Sequence, residues 1–190
     1  MTKAHNSKIR SVNYSCDGQM LVSAGDDKNV KIWSTIDRRL LGQYKQHESW
    51  VRYAEFSPIS KSLISCDDRA VFLWDVATKK VIQEYKEHSG VIHQAKFHSL
   101  GNIAASCSHD RKIKLYDIRA RQVIQVYEGH GAAIKSFDFH PHTSHLISSS
   151  EDGKTKIWNI QKSQLEYTLD CPSNVTKFSK EGDYFVAAGS

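Results

Sequence analysis

The sequence predicts an all-β fold built from repeated four-stranded units, on three observations. First, three residue markers share one period. Trp33, Trp74, Tyr116 and Trp158 stand at steps of 41, 42 and 42. His5, His47, His88 and His130 step by 42, 41 and 42, as do Tyr14, Phe56, Phe97 and Phe139. Second, each period holds short runs rich in β-branched and aromatic residues, separated by turn residues. Third, no segment sustains the apolar spacing of a helix.

The strands follow in a fixed order within each period. KIRSVNYS, WVRYAEFS, VIHQAKFH and AIKSFDFH are the first strands. Turn signals come next: Cys16-Asp17-Gly18, Ser57-Pro58, Leu100-Gly101-Asn102 and Pro141-His142. LVSAG, LISC, AASCS and LISSS are second strands whose small side chains suit a tight interior. A turn carrying Asp-Lys, Asp-Arg or Asp-Gly leads into the third strands, VKIW, VFLW, IKLY and TKIW. There Val30 and Ile32, Val71 and Leu73, Ile113 and Leu115, and Thr155 and Ile157 share one face. RLLGQY, KVIQEY, QVIQVY and SQLEY complete the units. The repeats run over about 1–45, 46–86, 87–128 and 129–169, with a partial unit over 170–190. Four antiparallel strands in tandem, at this period, make the blades of a β-propeller.

Composition narrows the function classes. Hydrophobic residues make up 39% and charged residues 25%, a soluble globular balance. No apolar run approaches the ~18 residues of a membrane span. The opening MTKAHNSKIR lacks the apolar core of a signal peptide. Cys16, Cys66, Cys107 and Cys171 form no CxxC pair, zinc spacing or disulfide framework, so a reduced intracellular compartment is expected. The net charge of +5 mildly favours acidic partners, but the cations are dispersed, and nucleic-acid binding is not expected. His140, His142 and His145 suggest a metal cluster, yet they fill a turn slot held by SPISKS and HSLGN in neighbouring units. Cys66 and Cys107 sit in equivalent small-residue strands and read as packed side chains. No phosphate-cradling glycine loop is present, so no metal and no cofactor are expected.

These motifs resemble the WD40 family. Trp74-Asp75 is its signature dipeptide and Gly129-His130 its Gly-His, while Trp33-Ser34, Tyr116-Asp117 and Trp158-Asn159 are near-variants. The resemblance implies a hydrogen-bonded His-Ser-Asp-Trp tetrad in each blade. By motif position these are His5, Ser23, Asp27 and Trp33; His88, Ser106 and Asp110 with Tyr116 in place of Trp; and His130, Ser148, Asp152 and Trp158. The second unit would use His47, Asp68 and Trp74. It is one residue short before Asp68, which displaces Ser65. Ser, His and Asp together also suggest a hydrolase triad, but a catalytic constellation occurs once, and this one recurs four times. The expectation is a non-enzymatic protein with no small-molecule substrate.

The resemblance further implies that partners bind on the face that bears the tetrad loops. The candidate residues are Lys8 and Arg10, Trp50 and Arg52, Val91 and His93, and Ala133 and Lys135. Asp26, Asp67, His109 and Glu151 precede the turn aspartates. Trp50 and Arg52 are the strongest pair, because Trp and Arg dominate interface hot spots. The fifth unit, NVTKFSKEGDYFVAAGS, holds two strands and has lost its Gly-His. Seven blades, the usual family ring, need roughly 290 residues. The reading is therefore a part of a longer array, with closure by two chains or a truncated array as alternatives. The order of blade variants is similar to the Poc-one (protein of centriole one) subfamily. The segments that carry this are residues 4–34, 46–58 and 87–141, with YTL and FSKEGDYFVAAGS near the end. The short second unit and the missing last His depart from it. That resemblance implies a structural component of centrioles and basal bodies that stabilises triplet microtubules and supports cilium assembly, with tubulin or centriolar proteins as partners in the cytoplasm and cytoskeleton. The alternative is a general WD40 adaptor, such as a ubiquitin-ligase substrate receptor or a chromatin or RNA-processing scaffold.

Overall fold

The computed structural model describes residues 4–59 and 61–189, and among them every regular element is a strand. Blade 1 comprises β1 (Ile9–Tyr14), β2 (Met20–Gly25), β3 (Val30–Ser34) and β4 (Leu40–Tyr44). Blade 2 comprises β5 (Tyr53–Phe56), β6 (Ser62–Cys66), β7 (Val71–Asp75) and β8 (Val81–Tyr85). Blade 3 comprises β9 (Ile92–Phe97), β10 (Ile103–Ser108), β11 (Lys112–Asp117) and β12 (Gln122–Glu128). Blade 4 comprises β13 (Ile134–Phe139), β14 (His145–Ser150), β15 (Lys154–Asn159) and β16 (Gln164–Asp170), and β17 (Val175–Phe178) pairs with β18 (Phe185–Ala188). Each sheet keeps chain order and every pairing is antiparallel. Successive connections therefore alternate ends. In every blade the turns that join the first strand to the second and the third to the fourth lie at one end, and the turn that joins the second to the third lies at the other.

The core sits between blades. Val22, Ala24, Val30 and Ile32 of blade 1 pack on Val51, Ala54, Leu63 and Trp74 of blade 2. Matching clusters join blade 2 to blade 3 and blade 3 to blade 4. Tyr44 meets Trp74 edge to face at 5.1 Å, and Tyr127 meets Trp158 at 5.3 Å. Each outermost-strand Tyr thus packs on the aromatic ring of the next blade's third strand. Burial of side chains this large stabilises by about 2 kcal/mol each. Ala54 and Ala95 are buried where their strands pack tightly against the preceding blade.

The innermost strands are joined by side chains as well as packing. A backbone amide on each inner strand meets a side chain of the preceding blade. Ala54 N–H donates to Ser11 Oγ (3.0 Å), Phe97 N–H to Glu55 Oε1 (2.5 Å), Phe137 N–H to Gln94 Oε1 (3.1 Å) and Phe178 N–H to Asp138 Oδ2 (2.9 Å). Those amides belong to inner-strand edges and need such partners once water is excluded. Asn13, Glu55, Lys96, Asp138 and Lys177 occupy equivalent register positions, opposite Val22, Ile64, Ala105, Ile147 and Val186. They line an open cavity of about 270 Å³. Lys96 pairs with Asp138 at 2.6 Å, and Glu55 accepts the Tyr53 hydroxyl at 3.1 Å. Removal from water pushes the Glu55 carboxyl up to about 7, against the pull of Lys96.

Two kinds of bulge recur. One falls beside the tetrad aromatic, at Trp33, Trp74, Tyr116 and Trp158, on the pairing of the third and fourth strands. The other falls on the inner strand and leaves Arg10, His93 and Lys135 outside the register. Two strands differ from their sequence readings. β5 starts at Tyr53, because Trp50 to Arg52 belong to the link from blade 1, where Val51 N–H bonds Gly25 O at 3.1 Å. β16 runs on to Asp170 because Thr155 continues the ladder opposite Leu169.

Candidate interaction face

The tetrads close at the end of the blades that carries the turns between second and third strands (β2–β3, β6–β7, β10–β11 and β14–β15). In blade 1, His5 Nδ1 lies 2.8 Å from Asp27 Oδ1 and Nε2 lies 2.8 Å from Ser23 Oγ, while Trp33 Nε1–H donates to Ser23 Oγ at 2.9 Å. Blade 4 repeats this with His130, Asp152 (2.9 Å), Ser148 (2.8 Å) and Trp158 (2.8 Å). Blade 3 uses His88, Asp110 (2.8 Å) and Ser106 (2.7 Å), and the Tyr116 hydroxyl reaches Ser106 at 2.7 Å in place of an indole. An ionised Asp accepts from Nδ1–H, so Nε2 accepts from the Ser hydroxyl and the Ser oxygen accepts from Trp or Tyr. Each His ring nitrogen, Ser hydroxyl and aromatic N–H or O–H of these three tetrads thus has a partner.

Blade 2 corrects the sequence reading. Its tetrad acid is Asp67, 2.9 Å from His47 Nδ1, and not Asp68. Ser65 is in place: it lies 2.7 Å from His47 Nε2 and accepts from Trp74 Nε1–H at 2.7 Å. The His-to-Ser separation is 18 in all four blades. The Ser-to-Trp separation is 9 here, against 10 in blades 1 and 4, so the missing residue lies in the turn after Ser65. The other three turns place a residue at positive φ directly after the tetrad Asp: Lys28, Arg111 and Gly153. Blade 2 has no such residue. Its shorter turn closes through Asp67 N–H to Ala70 O at 3.0 Å, and Asp67 Oδ1 accepts Arg69 N–H (2.8 Å) and Ala70 N–H (2.9 Å). The two acids therefore exchange roles. Asp68 bonds Ser49 (2.6 Å) and Arg52 (2.5 Å), as Asp26 bonds Arg10 (2.6 Å) in blade 1. Counting forward from His47 finds Ser65, whereas counting back from Trp74 misplaces the acid.

The tetrad chemistry is structural. Ser23, Ser65, Ser106 and Ser148 are buried beneath their own histidines, so no substrate reaches a nucleophile. Hydrogen bonds from His and from backbone amides hold Asp27, Asp67, Asp110 and Asp152 below the usual carboxylate range, despite burial acting the other way. Burial lowers His88 and His130, which stay neutral at pH 7 despite their aspartates.

The inner-strand bulges aim side chains onto the same end. Arg10 grips Asp26 with two bonds (2.6 and 2.9 Å) and lies over the Trp50 ring at 5.5 Å. Arg52 pairs with Asp68, and Lys135 pairs with Glu151 at 2.5 Å. At the matching position of blade 3, His93 faces His109 with ring centroids 6.3 Å apart. Burial, then Lys135 and Arg52, lower His93 to about 4, and its Nε2 is buried without a partner. Trp50 is 47% exposed, and Lys8 is exposed. Lys8, Arg10, Trp50, Arg52, His93 and Lys135 thus share one rim, whereas Ala133 is buried and Asp67 belongs to the tetrad. The HPHTSH histidines are engaged elsewhere: His140 Nδ1 accepts the amides of His142 and Thr143, and His145 bridges Thr143 and Glu166 (both 2.9 Å). Among the described residues no group of three or more His, Cys, Asp or Glu is placed to hold a metal. Cys66 and Cys107 are buried free thiols, pushed well up by burial.

Tandem four-stranded sheets, each closed by such a tetrad, define an array of propeller blades. The chain belongs to the WD40 family (WD domain, G-beta repeat), whose pattern matches residues 1–34, 38–75, 79–117 and 121–159. Members of this family are generally non-catalytic protein-interaction scaffolds, and nothing in this chain points to an enzyme. Similar proteins include Periodic tryptophan protein 2 homolog of Dictyostelium discoideum, 34% identical over 58 residues, or 30% of this chain and 6% of that protein. Nuclear distribution protein PAC1 of Mycosarcoma maydis is 36% identical over 56 residues, 30% of this chain and 12% of that protein. Protein HIR1 of Candida albicans is 34% identical over 58 residues, with 30% and 6% covered. The matched stretches thus span only a small share of each relative.

Proposed function

We propose that this chain is a protein-binding scaffold of centrioles and basal bodies, where it stabilises triplet microtubules and supports cilium assembly. The observation that supports this reading is the order of blade variants, above all residues 87–141, which resembles the centriolar Poc-one subfamily. The partner meets the rim of Arg10, Trp50, Arg52, His93 and Lys135. Trp50 is the anchor, because a half-exposed indole braced by Arg10 offers a rigid apolar surface beside charge. Tubulin, with its acidic surface, fits the chain's net charge of +5. The test is imaging of the tagged protein in ciliated cells before and after detergent and high-salt extraction. Foci at basal bodies that resist extraction are expected. A diffuse or nuclear signal that washes out overturns the centriolar assignment and favours the general adaptor reading, to which the varied names of the similar proteins lend support.

A further inference from the structure

The blade ends opposite the rim carry a second surface. There the β1–β2, β5–β6 and β7–β8 turns leave an open cleft of about 420 Å³. Met20, Phe56, Pro58, Ile59, Val76 and Ala77 make its apolar wall. A smaller cleft of about 140 Å³ shares Met20 and Val76 and extends it past Ile32 and Gly42. The turns that frame it are fixed: Thr35 bonds Gly18 O (2.8 Å) and Gln19 O (2.9 Å), and Val76 N–H bonds Lys61 O at 2.9 Å. The volume falls within the ~300–1,000 Å³ of ligand clefts. Ser15, Asp17, Ser57 and Lys61 stand in the same lining, and the apolar residues form the larger part of the wall, so the cleft suits an apolar side chain with polar groups at its edge.

The same end is ringed by cations. Arg38 and Arg39 fall in the β3–β4 turn, Lys79 and Lys80 in the β7–β8 turn, and Arg119 and Arg121 in the β11–β12 turn; all are exposed and enter no ion pair among the described residues, while Lys79 Nζ–H donates to Leu41 O at 2.9 Å. These cations come in pairs, one pair in each of blades 1, 2 and 3, which is why they look dispersed in sequence. The acids nearby are engaged locally. Asp17 accepts Ser15 Oγ–H (2.5 Å) and Gln19 N–H, Asp75 accepts Thr78 N–H (2.6 Å), and Asp117 accepts Arg119 N–H (2.7 Å). Asp17, Asp37, Asp75 and Asp117 keep their charge, but the six turn cations and Lys61 outnumber them and leave this end net positive.

We propose that this end docks a partner segment in which an apolar anchor is flanked by carboxylates. The anchor enters the cleft between blades 1 and 2, and the carboxylates meet Lys61, Lys79, Lys80 and Arg39. A walled recess between blades favours a peptide over a lipid surface, because it holds one side chain from several sides.

The test selects a random octapeptide phage library against the immobilised 190-residue chain carrying Trp50→Ala and Arg52→Ala, which removes the rim as a bait. Enriched peptides are synthesised with fluorescein and titrated by anisotropy. The expected peptides hold one aromatic or aliphatic anchor among Asp and Glu. Their binding weakens at least about tenfold with Ala77→Trp, which fills the cleft from an exposed position, and with Arg39→Glu plus Lys80→Glu. It also falls with salt. The melting transition stays unchanged in each variant, and the chain with an intact rim binds the peptides equally. Failure to enrich any peptide, enrichment of peptides without acids, or binding indifferent to Ala77→Trp overturns the proposal. So does co-sedimentation with phosphatidylserine vesicles that is lost in the Arg39 and Lys80 variant, which assigns the face to lipid. None of these outcomes bears on the centriolar reading, which rests on the order of blade variants and is tested by localisation.

Discussion

The exchange of roles between Asp67 and Asp68 makes a sharp stability prediction. Asp67 is 2% exposed and serves three donors: His47 Nδ1–H, Arg69 N–H and Ala70 N–H. Asp67→Ala leaves the fully buried His47 ring and a turn amide without acceptors. An unmet buried donor costs about 1–3 kcal/mol, so a total near 3 kcal/mol is expected after part of the turn reaches water. Asp68 and Arg52 are each 23% exposed at the side chain, and such pairs contribute at most about 1 kcal/mol. The two alanine variants should therefore differ by about 2 kcal/mol. With a urea slope near 2 kcal/mol/M, that separates their midpoints by about 1 M. Urea titration followed by tryptophan fluorescence reads this directly, because Trp74 Nε1 bonds Ser65 in the affected tetrad. An Asp68→Ala midpoint at or below that of Asp67→Ala refutes the assignment and restores the acid counted back from Trp74.

Other consequences are smaller or depend on pH. Tyr116→Phe removes one hydroxyl from the blade 3 tetrad while keeping its fully buried ring, so a loss of about 1 kcal/mol is expected by the same titration. Trp50→Ala with Arg52→Ala should shift the midpoint by less than the Asp67 variant, since Trp50 is half exposed; a larger shift would make the rim part of the core. The Glu55 carboxyl is raised to about 7 from its ordinary range, so the native state holds its proton more tightly than the unfolded chain. Stability from this group is complete below the unfolded pKa and is lost as pH rises toward about 7. Glu55→Gln should flatten the stability profile between about pH 5 and 7, and an unchanged slope there contradicts it. The tetrads act in the opposite sense. Folded His88 and His130 lie below their unfolded value, so stability falls as pH drops through about 6.5. Asp27, Asp67, Asp110 and Asp152 are likewise lowered, so their share is full above about pH 4 and is lost below it. Acid unfolding that begins only well below pH 4 in the wild type would refute the histidine part.

Much of this molecule is legible in the sequence because a repeat states its message four times. The strand order and the turn positions follow from spacing, and three of the tetrads follow from the family resemblance laid on that spacing. Where the period breaks, so does the reading. A single deletion after Ser65 leaves two adjacent aspartates competing for one histidine, and spacing measured from Trp74 selects the wrong one. Backbone geometry decides instead: without a residue at positive φ, the turn tightens and brings the first acid inward. The inner channel is illegible for another reason. Asn13, Glu55, Lys96, Asp138 and Lys177 match in register but not in type, so no sequence pattern marks them as one set.

The same logic bears on where specificity resides. The buried tetrads vary little from blade to blade, because each must satisfy every polar atom in the same space. The positions re-aimed by the inner bulges vary freely: Arg10, His93 and Lys135, with Arg52 in the equivalent place. Arg10, His93 and Lys135 sit near the starts of β1, β9 and β13 and Arg52 directly before β5, so a change of side chain alters the surface without disturbing the ladder beneath it. In three blades this position carries a cation matched by an acid across the turn, at Asp26, Asp68 and Glu151. In blade 3 it is a histidine facing a histidine, flanked by Arg52 and Lys135, with Nε2 buried and unpartnered. Among these four described positions, that of blade 3 alone lacks the cation–acid pair. A His93→Arg with His109→Asp exchange would extend the paired pattern through it. If the partner reads that difference, binding measured by anisotropy falls at least about tenfold while the melting transition holds. Binding that survives the exchange assigns recognition to Trp50 and its neighbours alone.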